Sequence, residues 1–391
     1  MKRILLTLLM MSLLFLGGCW DRTEINDLAI ITGAAIDAAD DNQIELSVQV
    51  FIPRALSAGR GSTSSGGNLT LVKSAKGASI ADAIALLQTK IPRKIFWGHC
   101  EVFIFGEDMA KRGITEEMDF LVRHPQPRER AYMFVSKGKA AKTLELRPEL
   151  ERYSSEVIRE MSDMHIGMLV TIIQLKEMLR GKSNAAALPL IDVMPPPNEA
   201  KGLETAPYIM GTAVFRKGKM VGEINEKATR GVMWIRGEVE RYTVTAKLKN
   251  VQGTVSLNPI HSDIKFIPSI RNGQWQMTIK AKTEGDVVQN GTNLDMSNPE
   301  MIKLVEKAFQ QDIEDRIELA LKQVQHEMKA DIFDFATDFY REYPQEWKAA
   351  KNNWDEIFPN VKVITDIHAY VRRPGLVTLP GGIPEEEVRE K

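Results

Sequence analysis

Apolar and polar positions along this chain repeat with two different periods, and the changes of period divide it into elements. From 44 to 52, Ile44, Leu46, Val48, Val50 and Ile52 alternate with polar neighbours, the period of a strand. The continuous apolar run Leu28-Ala29-Ile30-Ile31, leading into Gly33, predicts a buried strand over residues 27–32. Further strands are predicted over 69–74, 101–105 and 131–136. Between them the period lengthens. Ile80, Ala83, Ile84 and Leu87 share one face of a helix over 79–90, which Pro92 stops, and Glu116 and Glu117 suit the first turn of another over 115–123. Strands alternating with helices predict a mixed or partly parallel sheet. Residues 150–180 read as helix, with Ile166, Leu169, Val170, Ile173 and Leu175 as its apolar surface and Gly181 as C-cap.

Pro189, Pro195-Pro196-Pro197 and Pro207 then mark a stiff, extended connection. The predicted organisation is an N-terminal α/β region of one or two lobes over 19–188, a linker over 189–207, a C-terminal α+β domain over 208–375 and a polar tail over 376–391. Beyond the linker, strands dominate. Lys217-Gly218 joins strands at 209–215 and 220–224, and Asn272-Gly273 supplies both positive-φ residues of a type I′ hairpin. Trp275, Met277, Ile279 and Ala281 alternate with Gln276, Thr278, Lys280 and Lys282, as in a sheet with one wet face. A long helix is expected over 299–328, with Ile302, Val305, Phe309, Ile313, Ile317, Ala320, Val324 and Met328 at helical spacing. A second, over 332–351, carries Phe333, Phe335, Phe339, Tyr340 and Trp347, and a last strand covers 361–371. The fold class is α+β and multi-lobed: a mixed sheet with helices, then a largely antiparallel sheet packed by two long helices.

The N-terminus changes this picture from fold to location. Met1-Lys2-Arg3 precedes an apolar run from 4 to 16, followed by Gly17-Gly18-Cys19. As a helix that run spans roughly 20 Å, short of a ~30 Å hydrocarbon core, so residues 1–18 read as a secretory signal. A cysteine after small residues at the cleavage position is the mark of a bacterial lipoprotein, in which Cys19 carries a diacylglyceryl group. The alternative is an ordinary signal peptide with an incidental cysteine. Two acyl chains suffice for stable anchoring, at about 0.8 kcal/mol per buried methylene. The formal net charge is −1, which gives a nucleic-acid partner no electrostatic support. Cys100 is the only other cysteine, so no disulfide framework holds the chain. No later stretch offers the ~20 apolar residues of a membrane span.

Candidate chemistry is sparse. Gly181-Lys182-Ser183 imitates the end of a phosphate-binding loop, but Lys176 stands where its first glycine belongs. His326-Glu327 begins like a zinc-protease motif, but Ala330 replaces the second histidine. His99 and Cys100 are strand neighbours pointing to opposite faces, so Cys100 reads as a small buried hydrophobe and His99 as a hydrogen-bonded turn residue. His124, His165, His261 and His368 show no metal-ligand spacing, and no nucleophile elbow occurs. No catalytic set, cofactor or metal site is predicted. The Gly/Ser-rich stretch between Ala58 and Asn68 reads as a surface loop, with anion binding as the alternative. The aromatic cluster from Phe333 to Trp347, joined by Trp354 and Phe358, reads as core, with a docking surface as the alternative.

The run Cys19-Trp20-Asp21-Arg22-Thr23-Glu24-Ile25-Asn26-Asp27-Leu28-Ala29 resembles the mature N-terminus of the GerC-type spore germination lipoproteins. The likeness continues through Gly33-Ala34-Ala35-Ile36-Asp37, Arg93-Lys94-Ile95-Phe96-Trp97-Gly98-His99, Ser136-Lys137-Gly138-Lys139-Ala140 and Gly211-Thr212-Ala213-Val214-Phe215. It takes in Thr229-Arg230-Gly231, Asp331-Ile332-Phe333, Tyr343-Pro344 with Trp347, and Trp354 with Phe358-Pro359. Family members often carry glycine near Asp334 and Ala336, where this chain has none, which leaves open the turn between the C-terminal helices. The resemblance implies a multi-lobed α and β fold without enzymatic activity, lipid-anchored through Cys19 on the outer face of the spore inner membrane. It implies a C subunit of a nutrient germinant receptor, acting with membrane-embedded A and B subunits to trigger germination. The residues leave a second class open: a free-standing lipoprotein that captures a solute for a transporter in a cleft between two lobes.

Overall fold

The computed structural model describes residues 24–53, 69–198, 202–239 and 242–389. Cys19 and the Gly/Ser-rich stretch lie outside them. A 3₁₀ turn, Ile25–Asp27, leads into β1 (Leu28–Ala38), followed by β2 (Ile44–Phe51), β3 (Thr70–Gly77), α1 (Ile80–Lys90), β4 (Lys94–Phe96) and β5 (Val102–Gly106). Next come α2 (Glu107–Arg112), α3 (Thr115–Arg123), β6 (Tyr132–Ser136), α4 (Ala140–Glu145), α5 (Ser154–Asp163) and α6 (Ile172–Arg180). Then follow β7 (Ala185–Val193), β8 (Pro207–Arg216), β9 (Lys219–Asn225), α7 (Glu226–Arg236), β10 (Val244–Lys247), β11 (Thr254–Arg271) and β12 (Gln274–Asn290). Last come α8 (Pro299–Leu321), α9 (Phe335–Glu342), α10 (Pro344–Ala350), α11 (Trp354–Ile357) and β13 (Lys362–Arg373). The fold is α+β.

A nine-stranded sheet has the order β3-β2-β1-β5-β6-β7-β8-β9, with β4 beside the start of β1. Its centre is parallel, through β1–β5, β5–β6 and β6–β7, and its flanks are antiparallel. This is the mixed sheet that the alternating elements predict. Ala35, Val102, Ile104 and Phe134 pack with residues of α4 and α5. Phe103, Phe105, Met133 and Val135 belong to a larger core shared with α1, α2 and α3. Covering both faces has a consequence for β2, whose alternation suits a half-wet strand. Ser47 and Gln49, on its polar side, are fully buried.

The strands on either side of the proline-rich connection pair with each other. Pro189 lies within β7, opposite Thr212 of β8, and the two strands pair from Ala185 to Val193. β8 and β9 are therefore hydrogen-bonded into the same sheet as the N-terminal strands. The four-stranded second sheet, β10-β11-β12-β13, begins only at Val244. The two sheets share one continuous core. Gly231 of α7 shows how closely the parts meet, since a Cβ there would lie 2.0 Å from the carbonyl oxygen of Arg316 in α8.

In the second sheet the Asn272-Gly273 hairpin forms as expected, with φ of 50° and 78°. Met277, Ile279 and Ala281 are buried, while Lys280 and Lys282 are exposed. β13 runs parallel to β12, so the sheet is antiparallel only over β10, β11 and β12. The helical segments are more broken than their periodicity suggests. Residues 150–180 form two helices, separated where His165 and Gly167 adopt φ of 58° and 74°. Gly181 is extended rather than left-handed. The 299–328 helix ends as α at Leu321 and continues as a π-turn over Lys322–Glu327, in which buried Gln325 donates to the carbonyls of Phe358 and Val361, both at 2.8 Å. The 332–351 segment starts later and is cut into α9 and α10 at Pro344, which lacks the N–H a continuing helix needs. The tail is not free either: Thr378 and Arg389 make main-chain bonds to Met296 and Asn293.

Asp334 precedes α9 with φ 63° and ψ 32°, the left-handed conformation that glycine adopts without strain. A glycine at this position would take that conformation without steric cost. Asp334→Gly and Asp334→Ala both remove the carboxylate, but only alanine keeps the strain. The glycine variant should be the more stable by about 1 kcal/mol in chemical denaturation. Equal stabilities would show that α9 does not require that conformation.

Candidate functional site

The described chain begins at Glu24, five residues after Cys19. At most ~3.6 Å per residue, those five residues reach about 18 Å. The N-terminal end of β1 is therefore the described element that follows Cys19 most closely along the chain. Ile25 is 68 % exposed there, and Lys94 of β4 pairs beside Leu28. β1 is an interior strand, with β2 on one side and β4 and β5 on the other.

The other stretches that carry the family likeness meet in space as joints between elements. Asp37, at the end of β1, accepts from the backbone N–H groups of Ala140 and Ala141 at 2.8 and 2.9 Å and so caps α4. Burial raises its pKa, and those two bonds pull it back. Lys137, in the same turn as Ala140, donates to Glu223 at 2.6 Å and ties β6 to β9. In the 93–99 stretch, Trp97 is buried and stacks on Phe103 with ring centroids 6.2 Å apart. The hydroxyls of Thr212 and Thr229 lie 2.9 Å apart, which joins β8 to α7.

Asp331 is the densest of these joints. It is fully buried and accepts from Phe335 N–H at 3.1 Å, Ala336 N–H at 2.9 Å and the Trp354 indole N–H at 3.0 Å. Burial pushes its carboxyl up to about 7, opposed by the bond from Ala336 and reinforced by the charge of Asp334. Around it Phe333, Phe335, Phe339, Trp347, Trp354 and Phe358 are buried, and Trp275 meets Phe339 edge-on at 4.7 Å. The aromatic cluster is core. Only Tyr340 stands out from it, half-exposed beneath the Lys182 ammonium at 4.4 Å.

Gln49 was not singled out by pattern, yet it holds α4 and α5 to the sheet. Its Oε1 accepts from Thr32 and Ser155, and its Nε2 donates to the Leu144 carbonyl and the Ser154 hydroxyl, at 2.6–3.1 Å. All four bonding positions of the carboxamide are used. Cys100 is buried, donates weakly to the Val102 carbonyl at 3.5 Å, and has its thiol pushed far up by burial. His99 is exposed, and its contact is the edge of Phe96 at 6.0 Å rather than a hydrogen bond. His124 is held below its usual value by burial. Among the described residues no three His, Cys, Asp or Glu side chains stand close enough to hold a metal ion. No described helix is long and apolar enough to cross a membrane.

A two-sheet α+β scaffold whose signature residues are buried joints belongs with proteins recognised along their whole length rather than by a local motif. Two family models match it in succession: the spore germination protein N-terminal domain over residues 21–193, and the B3/GerAC-like spore germination C-terminal domain over residues 210–375. The chain belongs to the GerAC family of spore germination proteins. It is 27 % identical to spore germination protein KC of Bacillus subtilis, over 97 % of each chain. It is 24 % identical to spore germination protein B3 of the same organism, over 91 % of this chain and 93 % of that one. Its fold is similar to the crystal structure of the GerBC protein, with a TM-score of 0.57 at 20 % identity over 87 % of this chain and 97 % of that one.

Asp331→Ala would leave three buried donors without an acceptor, at about 1–3 kcal/mol each if nothing relaxes. Allowing for relaxation, a loss of about 3–5 kcal/mol in denaturant unfolding is expected. Because folding raises this carboxyl, the folded state binds its proton more tightly. Its contribution to stability therefore improves as pH falls from about 7 towards ordinary carboxylate values, and is lost as pH rises through about 7. Between pH 8 and pH 5 the melting temperature of wild type should therefore rise relative to that of Asp331→Asn. Parallel curves would contradict it.

Proposed function

We propose that this chain is the C-type subunit of a spore nutrient-germinant receptor, a non-enzymatic ectodomain held by a diacylglyceryl group on Cys19 to the outer face of the spore inner membrane. It acts there with membrane-embedded A and B subunits to trigger germination. The observation that carries the reading is the family match in succession over residues 21–193 and 210–375. Relatives described as spore germination proteins KC, B3 and A3 add weight, since each aligns over more than nine-tenths of this chain. The sequence ahead of Glu24 supplies the physical means. Anchoring replaces a three-dimensional search by confinement beside membrane partners, which raises their effective concentration without any new contact. The rival reading, a solute-capturing lipoprotein with a cleft between lobes, drew on a proline-rich hinge. That segment instead joins two paired strands of one sheet.

Two measurements test the proposal. Cys19→Ala should abolish incorporation of radiolabelled palmitate and release the protein from spore membranes, with a melting curve unchanged for the ectodomain. Affinity-tagged wild-type protein from solubilised spore membranes should bring down A-type and B-type subunits in comparable amounts. Unaltered lipid labelling of the variant would refute the anchor, and recovery of the chain alone would refute the receptor.

A further inference from the structure

A cavity of about 620 Å³ lies where the end of α8, the π-turn after it and the start of β13 meet. Asp315, Glu318, Leu319 and Lys322 line it at helical spacings of three and four, so one helix face forms a wall. Lys362 and Val363 are strand neighbours that point to opposite faces, so a cavity touching both meets β13 at its edge. The wider π-turn buries the sequence neighbours Val324 and Gln325 together, and Gln325 becomes part of the lining. Gln325 is only 1 % exposed. Its Nε2 spends both hydrogens on the carbonyls of Phe358 and Val361, which fixes the orientation of the carboxamide. Its Oε1 receives no donor from the described residues and is not sealed off, so it faces the cavity as an open acceptor. Buried acceptors are ordinarily satisfied, which marks this oxygen as a place for a donor from outside the chain.

Charge narrows the occupant. Lys227, Lys322 and Lys362 stand in the lining, exposed and without an ion pair among the described residues. Asp315 and Glu318 stand there too, and neither has a basic partner among the described residues. Asp315 accepts from the Gln311 amide at 2.9 Å, which leaves its charge in place. A simple anion would meet both carboxylates, and a simple cation would meet all three ammonium groups. A small molecule that carries both signs satisfies each set at once. Its ammonium group supplies the donor that Oε1 lacks, with Asp315 and Glu318 as the negative charges of the lining. Its anionic group answers the lysines, and an aliphatic side chain suits Leu319, Leu321, Val361 and Val363. The size agrees, since cavities that hold small ligands run from about 300 to 1,000 Å³.

We propose that this cavity binds a small zwitterion, an aliphatic α-amino acid, with its ammonium group on Gln325 Oε1 and its carboxylate toward the lysines. Binding is a property of the chain alone, so its failure would leave the receptor reading standing, and failure of that reading would leave the binding standing. The purified full chain in detergent, its Leu and Val methyl groups isotope-labelled for NMR, is titrated with L-leucine, N-acetyl-leucine and leucinamide. L-Leucine should bind saturably, one to one, and shift the methyl signals of Leu319, Leu321, Val361 and Val363. The acetylated compound lacks the ammonium group and the amide lacks the carboxylate, so each should bind at least about tenfold more weakly. Lys322→Glu with Lys362→Glu, and separately Glu318→Lys, should weaken L-leucine by a similar factor. These side chains are exposed, and unchanged melting curves check that each variant folds. Equal affinity for the three compounds, shifts confined to other methyl groups, or an affinity that neither variant changes overturns the proposal. So does the absence of any shift up to about 10 mM L-leucine, which would leave water as the donor to Oε1.

Discussion

The first strand of the described chain is an interior strand, and most of the molecule follows from that placement. β1 is paired along both edges, antiparallel to β2 and parallel to β4 and β5. An interior strand with helices on both faces has no wet side, so every polar group it or β2 brings inward must find a partner within the protein. Asp37 and Gln49 are two of those groups, beside Thr32 and Ser47. Both Asp37 and Gln49 are matched by main-chain or hydroxyl partners from α4, α5 or the turns before them. The requirement to satisfy them fixes where these helices sit on the sheet.

The second half repeats the device with a different residue. Asp331 is a carboxylate without a basic partner in hydrogen-bond contact, held by two backbone N–H groups and one indole. It gathers the start of α9 and the Trp354 turn around a single oxygen pair, with the aromatic rings packed about it. Polar joints of this sort specify an arrangement more sharply than apolar packing alone, because a shifted helix would strand several donors at once.

What could be read from sequence divides along the same line. Features decided by a few neighbouring residues were legible: the Asn272-Gly273 turn, the helix α1 that ends ahead of Pro92, and the alternation of Met277, Ile279 and Ala281. Features decided by distant partners were not. Gln49 looks like the wet side of a strand until residues about a hundred positions later cover it. The break between α5 and α6 rests on the left-handed His165, whose residue type does not announce it. The prolines from 189 to 207 suggested separation, yet Pro189 sits where a paired strand still tolerates it. Cys19, by contrast, is legible only in sequence, because it lies ahead of the described residues.

The position of β1 also has a mechanical meaning. Any pull applied through the residues ahead of Glu24 arrives at the end of a strand clasped on both sides. Force along its axis loads the flanking hydrogen bonds in shear, many at a time, rather than peeling them one by one from an edge. Movement imposed there would then be delivered to the sheet as a whole instead of being absorbed by unravelling its first element.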